Sequence, residues 1–200
     1  MEKKIKLTVR QASAEDHHLV TQLRVDGYRS SGEFKVLNPE FLAIQRGSVY
    51  LIETEGKIIA SLQQENISSC ELFTGLTNTQ IPHDFKYFET IYHSKGVTDA
   101  SYRNMGLNSL LRFHSLSKYA QHQNINSFAS IVYEKAPRLN TLKDMGYKFK
   151  QTQLISSKYT SPSGKIYFTY LERSHFKKAL KKLDSHLSSL HKKYHVDFIG

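Results

Sequence analysis

The sequence predicts an α+β protein: a mixed β-sheet covered by helices, with an amphipathic helix added at the C-terminal end. Three observations point there. Stretches of two-residue apolar alternation interleave with stretches at helical spacing, in the order β-α-β-β-β-α-β-α-β-β and then a helix. The chain has 200 residues, 39% of them hydrophobic, which supports one buried core and is short for two full domains. Its 23% charged residues, 12 Tyr and 11 Phe are a globular rather than a disordered composition.

The elements follow in order. Residues 5–10 alternate apolar and polar, as a strand does. Ser13, Glu15 and Asp16 read as a helix start, with Leu19, Val20, Leu23 and Val25 giving that helix its apolar side. Residues 49–53 and 57–62 are two strands joined at Thr54, Glu55 and Gly56, a hairpin. Residues 64–84 lack periodicity and read as a long connection. Residues 88–97 form the next strand, and Leu107, Leu110, Leu111, Leu116 and Ala120 recur at helical spacing. Then come a strand at 128–133, a short helix at 139–145 stopped by Gly146, and strands at 147–156 and 165–171 joined by a turn at 161–164.

Composition also narrows the functional classes. No apolar run approaches the roughly 18 residues of a membrane helix. The basic first ten residues lack the apolar stretch of a secretory signal. Cys70 is the single cysteine, read as an inert thiol, and a reducing, cytoplasmic setting is expected. The net charge of +10 favours phosphates, anionic lipids, nucleic acids or acidic proteins without choosing among them. No nucleic-acid motif accompanies it, and nucleic acid is not the expected partner. His191 and His195 have no third ligand, so no metal site is expected.

The segment that carries chemistry runs from Val97 through Arg103, Asn104, Met105, Gly106, Leu107 and Asn108. A strand ends, the chain turns, and a helix begins near Gly106. The first amides of a helix have no internal partner, and with the helix dipole they attract an anion. Gly106 would let a phosphate approach the backbone, and Arg103 adds a fixed charge. The same residues also fit a plain helix start with a solvated arginine.

This stretch resembles the acyl-CoA-binding motif of the GNAT acyltransferases, Arg/Gln-x-x-Gly-x-Gly/Ala after a Val-x-x-x-Tyr-Arg lead-in. Arg103, Gly106 and Asn108 hold the motif positions, with Val97 and Tyr102 in the lead-in. Residues 136–147, ending in Met145, Gly146 and Tyr147, resemble the second GNAT motif, a short helix closing on Leu-Gly-Phe. The resemblance implies a GNAT-like fold over residues 1–171, with a central, mixed, mostly antiparallel sheet. It leaves 172–200 as a C-terminal amphipathic helical extension. It implies an N-acyltransferase that moves an acetyl or other acyl group from acyl-CoA to the primary amine of a small molecule or peptide. Departures are visible too. Leu142 holds the place of the Tyr that protonates the leaving thiolate in many relatives, Lys135 lies near the usual Asn, and Asn108 replaces a small residue. Similar departures occur in N-acyl amino acid synthases and acyl-homoserine lactone synthases that use acyl carrier protein, an acidic partner a basic chain would attract. A binding module that has lost its chemistry is a third reading.

Acyl transfer to an amine needs a base. Glu89 and His93, four apart on the strand before the loop, are the candidate catalytic residues; Tyr92 and Tyr133 are alternative acids. In the C-terminal segment Phe176, Leu180, Leu183, Leu187 and Leu190 form a heptad-like stripe beside six lysines. It suits a helix packed on the sheet, a homodimer contact, or a basic helix resting on a membrane or acidic partner.

Overall fold

The computed structural model describes residues 4–31, 34–37, 42, 44, 46–67, 69–86, 89–155, 160–162 and 164–199. The strands are β1 (Ile5–Gln11), β2 (Phe34–Leu37), β3 (Ser48–Thr54), β4 (Lys57–Ile67), β5 (Thr90–Thr98), β6 (Ser127–Tyr133), β7 (Lys148–Thr152), β8 (Thr160–Pro162), β9 (Ile166–Glu172) and β10 (Tyr194–Ile199). The α-helices are α1 (His17–Ser31), α2 (Cys70–Thr77), α3 (Leu107–Ala120), α4 (Leu139–Asp144) and α5 (Phe176–Lys193). Eight strands form one sheet in the order β10-β1-β3-β4-β5-β6-β9-β7, antiparallel except at β10/β1 and β5/β6. This is the mixed, mostly antiparallel sheet expected. A separate ribbon pairs β2 with β8.

Strand alternation sorts the core into two layers. Tyr50 and Ile52 of β3, with Leu62 of β4, pack under Leu107, Leu110 and Leu111 of α3 and Leu187 and Leu190 of α5. Val49 and Leu51 point the other way, with Val97 of β5, against Val20, Leu23 and Tyr28 of α1. The buried stripe of α1 is Val20, Leu23, Arg24, Gly27 and Tyr28, the i, i+3, i+4, i+7, i+8 pattern. Leu19 lies off it and is 49% exposed, which corrects the apolar side read from sequence. The helix enters through Asp16, whose carboxylate accepts from Ser13 N (2.7 Å), Ser13 Oγ (2.9 Å) and Arg10 Nη1 (2.7 Å). The β3–β4 hairpin turns on Glu55 and Gly56 at φ of 50° and 78°, the pair of positive values that a two-residue type I′ turn needs.

Four expectations are corrected. The connection read at 64–84 is instead the far end of β4 followed by α2. That helix is capped by Ser69 Oγ, which accepts from Leu72 N, and it stops at Asn78 in the left-handed conformation. Glu89 is not part of β5: it sits before it in a turn, at φ of 56°. Ser161 lies in β8 rather than in a turn. Residues 172–200 are not helical throughout, because β10 follows α5 and pairs in parallel with β1, from Ile5↔Tyr194 to Arg10↔Ile199. The stripe of α5 buries Phe176, Leu183, Leu187 and Leu190 inside the chain's own core, so that face is not left for a dimer. Among the described residues no helix is long and apolar enough to cross a membrane.

Candidate active site

The strand that leads into the site is irregular. Ser61 faces Val97 but Gln63 faces Ser94, so Lys95 and Gly96 together stand opposite Leu62, a bulge with Lys95 at φ of 49°. On its other edge β5 pairs with β6 only from Thr90↔Ser127 to His93↔Ser130. Beyond that point the two parallel strands run on without pairing each other, and the sheet opens between them.

The loop at the end of β5 is tightly held. Asp99 Oδ1 accepts from Ser101 N at 2.9 Å, Asp99 O accepts from Tyr102 N at 2.9 Å, and Lys57 pairs with Asp99 at 2.8 Å. Asn104 and Gly106 take φ of 62° and 81°. The first bond of α3 runs from Leu110 N to Gly106 O, so the amides of Leu107, Asn108 and Ser109 come before the ladder begins. All three residues line a cavity of about 200 Å³ whose other walls include Gly96 of β5, Tyr28 of α1, and Arg138 and Thr141 at the start of α4.

The loop residues do not all act as the sequence suggests. A Cβ on Gly106 would point toward α5, 3.7 Å from Leu187 Cδ2 and 3.9 Å from His186 O. The glycine is therefore required by its positive φ rather than by closeness to a ligand. Met105 packs on the core, and its sulfur accepts from the Tyr194 hydroxyl at 3.7 Å, so the C-terminal segment forms the floor of the loop. The Arg103 guanidinium is turned to the last turn of α1. Nη2 donates to Gly27 O (2.8 Å) and Ser30 Oγ (2.6 Å), and Nη1 to Ser30 O (3.3 Å). A cation at a helix C-terminus is favourable, and here it straps the loop to α1. Asn108 reaches inward: its Nδ2 would be 2.8 Å from a Cβ on Gly96, and its Oδ1 accepts from Arg112 Nε at 3.1 Å. Gly96 leaves the room that the asparagine takes.

The two candidate bases do not reach the cavity. Glu89 is exposed beyond the far end of β5, where its Oε2 accepts from Asn126 Nδ2. That is eight residues from Val97, on the order of 25 Å along a strand. His93 is buried under α3. Arg112 can only donate, so its 3.2 Å contact makes His93 Nδ1 the acceptor and leaves the proton on Nε2, which donates to Ser115 Oγ at 2.8 Å. Ser115 Oγ passes the chain to Gln64 Oε1 at 2.8 Å. Burial, and secondarily the Arg112 charge, push the His93 pKa well below its usual value. His93 is a neutral link in a buried network, with its lone pair already taken. Arg112 itself is pushed down to about 10 by burial. Tyr92 is buried against Phe73, and desolvation raises its pKa far above the usual phenol range; Tyr133 is buried in the same cluster.

On the α1 face of the opening lies a polar group that sequence reasoning missed. Lys95 is pushed down to about 8, first by burial and then by the Arg24 charge, with Glu65 opposing. Glu65 is buried and accepts from Gln63 Nε2 at 2.9 Å. Arg24 is wholly buried; Nη1 donates to Leu42 O at 2.8 Å, while Nε and Nη2 meet no hydrogen-bond partner among the described residues. The signal for this face was the placement of Arg24 and Tyr28 on the buried stripe of α1. Among the described residues no group of three or more His, Cys, Asp or Glu is gathered as a metal site would require.

No protein-family model matches the chain, and no curated protein matches it in sequence. Solved structures do match. An uncharacterised protein from Bacillus halodurans aligns with a TM-score of 0.63 at 12% identity, covering 90% of each chain. Spermidine N-acetyltransferase from Vibrio cholerae, in complex with CoA and spermine, aligns with a TM-score of 0.57 at 11% identity over 86% of this chain and 98% of that one. A CoA-dependent acyl-homoserine lactone synthase aligns with a TM-score of 0.51 at 13% identity, over 88% and 93%. The fold is that of the GNAT acyltransferases. At these identities the likeness is one of fold. The GNAT motif read from sequence falls on the turn between β5 and α3, and the second motif falls on α4 and its stop at Gly146. Leu142, at the place of the usual GNAT tyrosine, is wholly buried among Phe128, Val132 and Met145, so no phenol reaches the cavity from there.

Proposed function

We propose that this GNAT-fold protein is an N-acyltransferase that takes an acyl group from acyl-CoA and passes it to a primary amine. One observation carries the reading: Leu107, Asn108 and Ser109, whose amides precede the ladder of α3, line a cavity at the place where β5 and β6 part. The diphosphate of the donor would sit on those amides, drawn by the helix dipole. The pantetheine arm would run between the parted strands toward the bulge at Lys95. Backbone groups freed by the split are suited to hold the thioester carbonyl, as an oxyanion site requires.

The amine would arrive from the α1 face. An acyl transfer near neutral pH is served best by a base whose pKa lies close to the working pH. Lys95, pushed down to about 8 by burial at the bulge, meets that condition, whereas Glu89 lies at the far end of β5 and His93 is committed to Arg112. In its neutral form it takes the proton from the attacking amine, and Glu65 offsets the charge that results. Fixing donor and amine in line on this scaffold supplies much of the acceleration.

A second reading, transfer from acyl carrier protein, is favoured by the exposed lysines 177, 178, 181 and 182 on α5, a surface suited to an acidic protein. Calorimetric titration with CoA and separately with acyl carrier protein, followed by thiol release from acetyl-CoA across a panel of amines, decides. The leading reading expects saturable CoA binding, weakened about tenfold or more in Arg103→Ala once charged hydrogen bonds to α1 are lost, together with amine-dependent thiol release. Carrier binding without CoA binding favours the second reading. CoA binding without thiol release leaves a non-catalytic module.

A further inference from the structure

The wholly buried Leu142 leaves a GNAT-type reaction without its usual proton donor for the departing sulfur, and a different group from the start of α4 lines the cavity. Arg138 sits at the N-cap of α4, one turn before Leu142, and lines the cavity, whereas Leu142 packs into the core. Its Nη2 donates to Ile131 O at 3.3 Å. Ile131 is the first residue of β6 past Ser130, where pairing with β5 ends. The guanidinium thus stands at the apex of the opening, on the wall of the cavity that also holds Gly106 and Asn108. Its charge also acts on Tyr92 of β5 and on Arg112 of α3, which agrees with a position between the parted strands.

We infer that Arg138 is a catalytic residue: it holds the leaving sulfur as a thiolate–guanidinium ion pair, in place of protonation by a phenol. The inference rests on the acyl-CoA reading above. In the step, the amine nitrogen bonds to the acyl carbon and gives its proton to Lys95. The C–S bond then breaks, and its electron pair stays on sulfur. CoA leaves as the thiolate paired with Arg138, Lys95 gives its proton up to solvent water, and the released thiolate is protonated from the same solvent. An arginine suits this role because it stays charged and carries five N–H donors in a planar fork. A neighbouring guanidinium lowers a thiol's pKa from its usual value of about 8.5. The other charged or titratable groups around the opening are Arg112 on α3, Tyr92 and Lys95 on β5, Glu65 on β4, Tyr133 on β6, Arg24 and Tyr28 on α1, and Tyr102 and Arg103 of the loop. Of the cations among these, Arg112 is tied to Asn108 and His93, Arg103 to Gly27 and Ser30, and Arg24 to Leu42 O.

The test needs no acceptor. Full-length protein is saturated with CoA, and the ultraviolet absorbance of the thiolate is followed against pH, with the complex of desulfo-CoA as blank. The expected result is a bound thiol that titrates about one pH unit or more below free CoA. Arg138→Lys should keep part of the shift. Arg138→Gln should remove it while calorimetry still finds CoA bound. A wild-type complex whose thiol titrates with free CoA overturns the assignment without recourse to any variant. So does a shift that survives Arg138→Gln, or one that vanishes only in Lys95→Met. Failure to bind CoA at all is seen first in the calorimeter and overturns the donor reading, taking this assignment with it.

Discussion

Gly106 is the residue at which two explanations of the loop predict opposite results. If the glycine is there to let a phosphate come close, alanine should be tolerated better than any larger residue. If it is there to hold φ at 81°, asparagine should be tolerated better than alanine, because Asn accepts the left-handed conformation far more readily. The geometry favours the second. A Cβ would meet Leu187 Cδ2 at 3.7 Å, an ordinary contact, and Asn104 already adopts φ of 62° in the same loop. Holding an L-alanine there costs about 1–2 kcal/mol. For a chain of this size that is a fall in Tm of about 2–8 °C. The strain is relieved if the loop rotates in the free protein, which turns the leading amides of α3 away, so CoA affinity should fall about 5–30-fold. Thermal unfolding by circular dichroism and CoA calorimetry on Gly106→Ala and Gly106→Asn measure both quantities. An alanine variant as stable and as tight as wild type, or one better than the asparagine variant on both, refutes the strain argument.

Other outcomes follow from the same geometry. Gly27→Ala places a Cβ 2.1 Å from Val97 Cγ2 and must push α1 off β5. It should lose about 1–3 kcal/mol in urea unfolding, and with α1 displaced the Arg103 strap should loosen and donor affinity fall. As the proposed base, Lys95 would act in its neutral form, so kcat/KM should rise with pH up to about 8 and then level off. Lys95→Met should remove that rise; a pH profile unchanged in the variant would rule the lysine out as base.

Much of this architecture is legible in the residues, and the failures have identifiable physical causes. The hairpin at Glu55 and Gly56, the loop before α3 and the leucine stripe of α5 all show because local chemistry and final position agree. The far half of β4 does not show, because Gln63, Gln64 and Glu65 are buried against polar partners. Gln64 accepts from Ser115 and donates to the Tyr119 hydroxyl, contacts made from a helix more than fifty residues on. Strand β10 was readable in the alternation of Tyr194, Val196 and Phe198, but the helical pattern running into Lys193 hides it. His93 reads as a candidate base from its own strand alone. Its lone pair is committed by Arg112, which only the folded chain brings beside it. Glu89 shares that strand in the sequence, yet the positive φ at its position ends the strand first.

Amide chemical shifts of Leu107, Asn108 and Ser109 offer the sharpest check, since these three N–H groups are the proposed diphosphate socket. In ¹⁵N-labelled protein, CoA and ADP should each move all three resonances, and pantetheine, which lacks the diphosphate, should not. Saturating CoA that leaves these three peaks in place, or pantetheine that moves them as far as CoA does, would contradict the account.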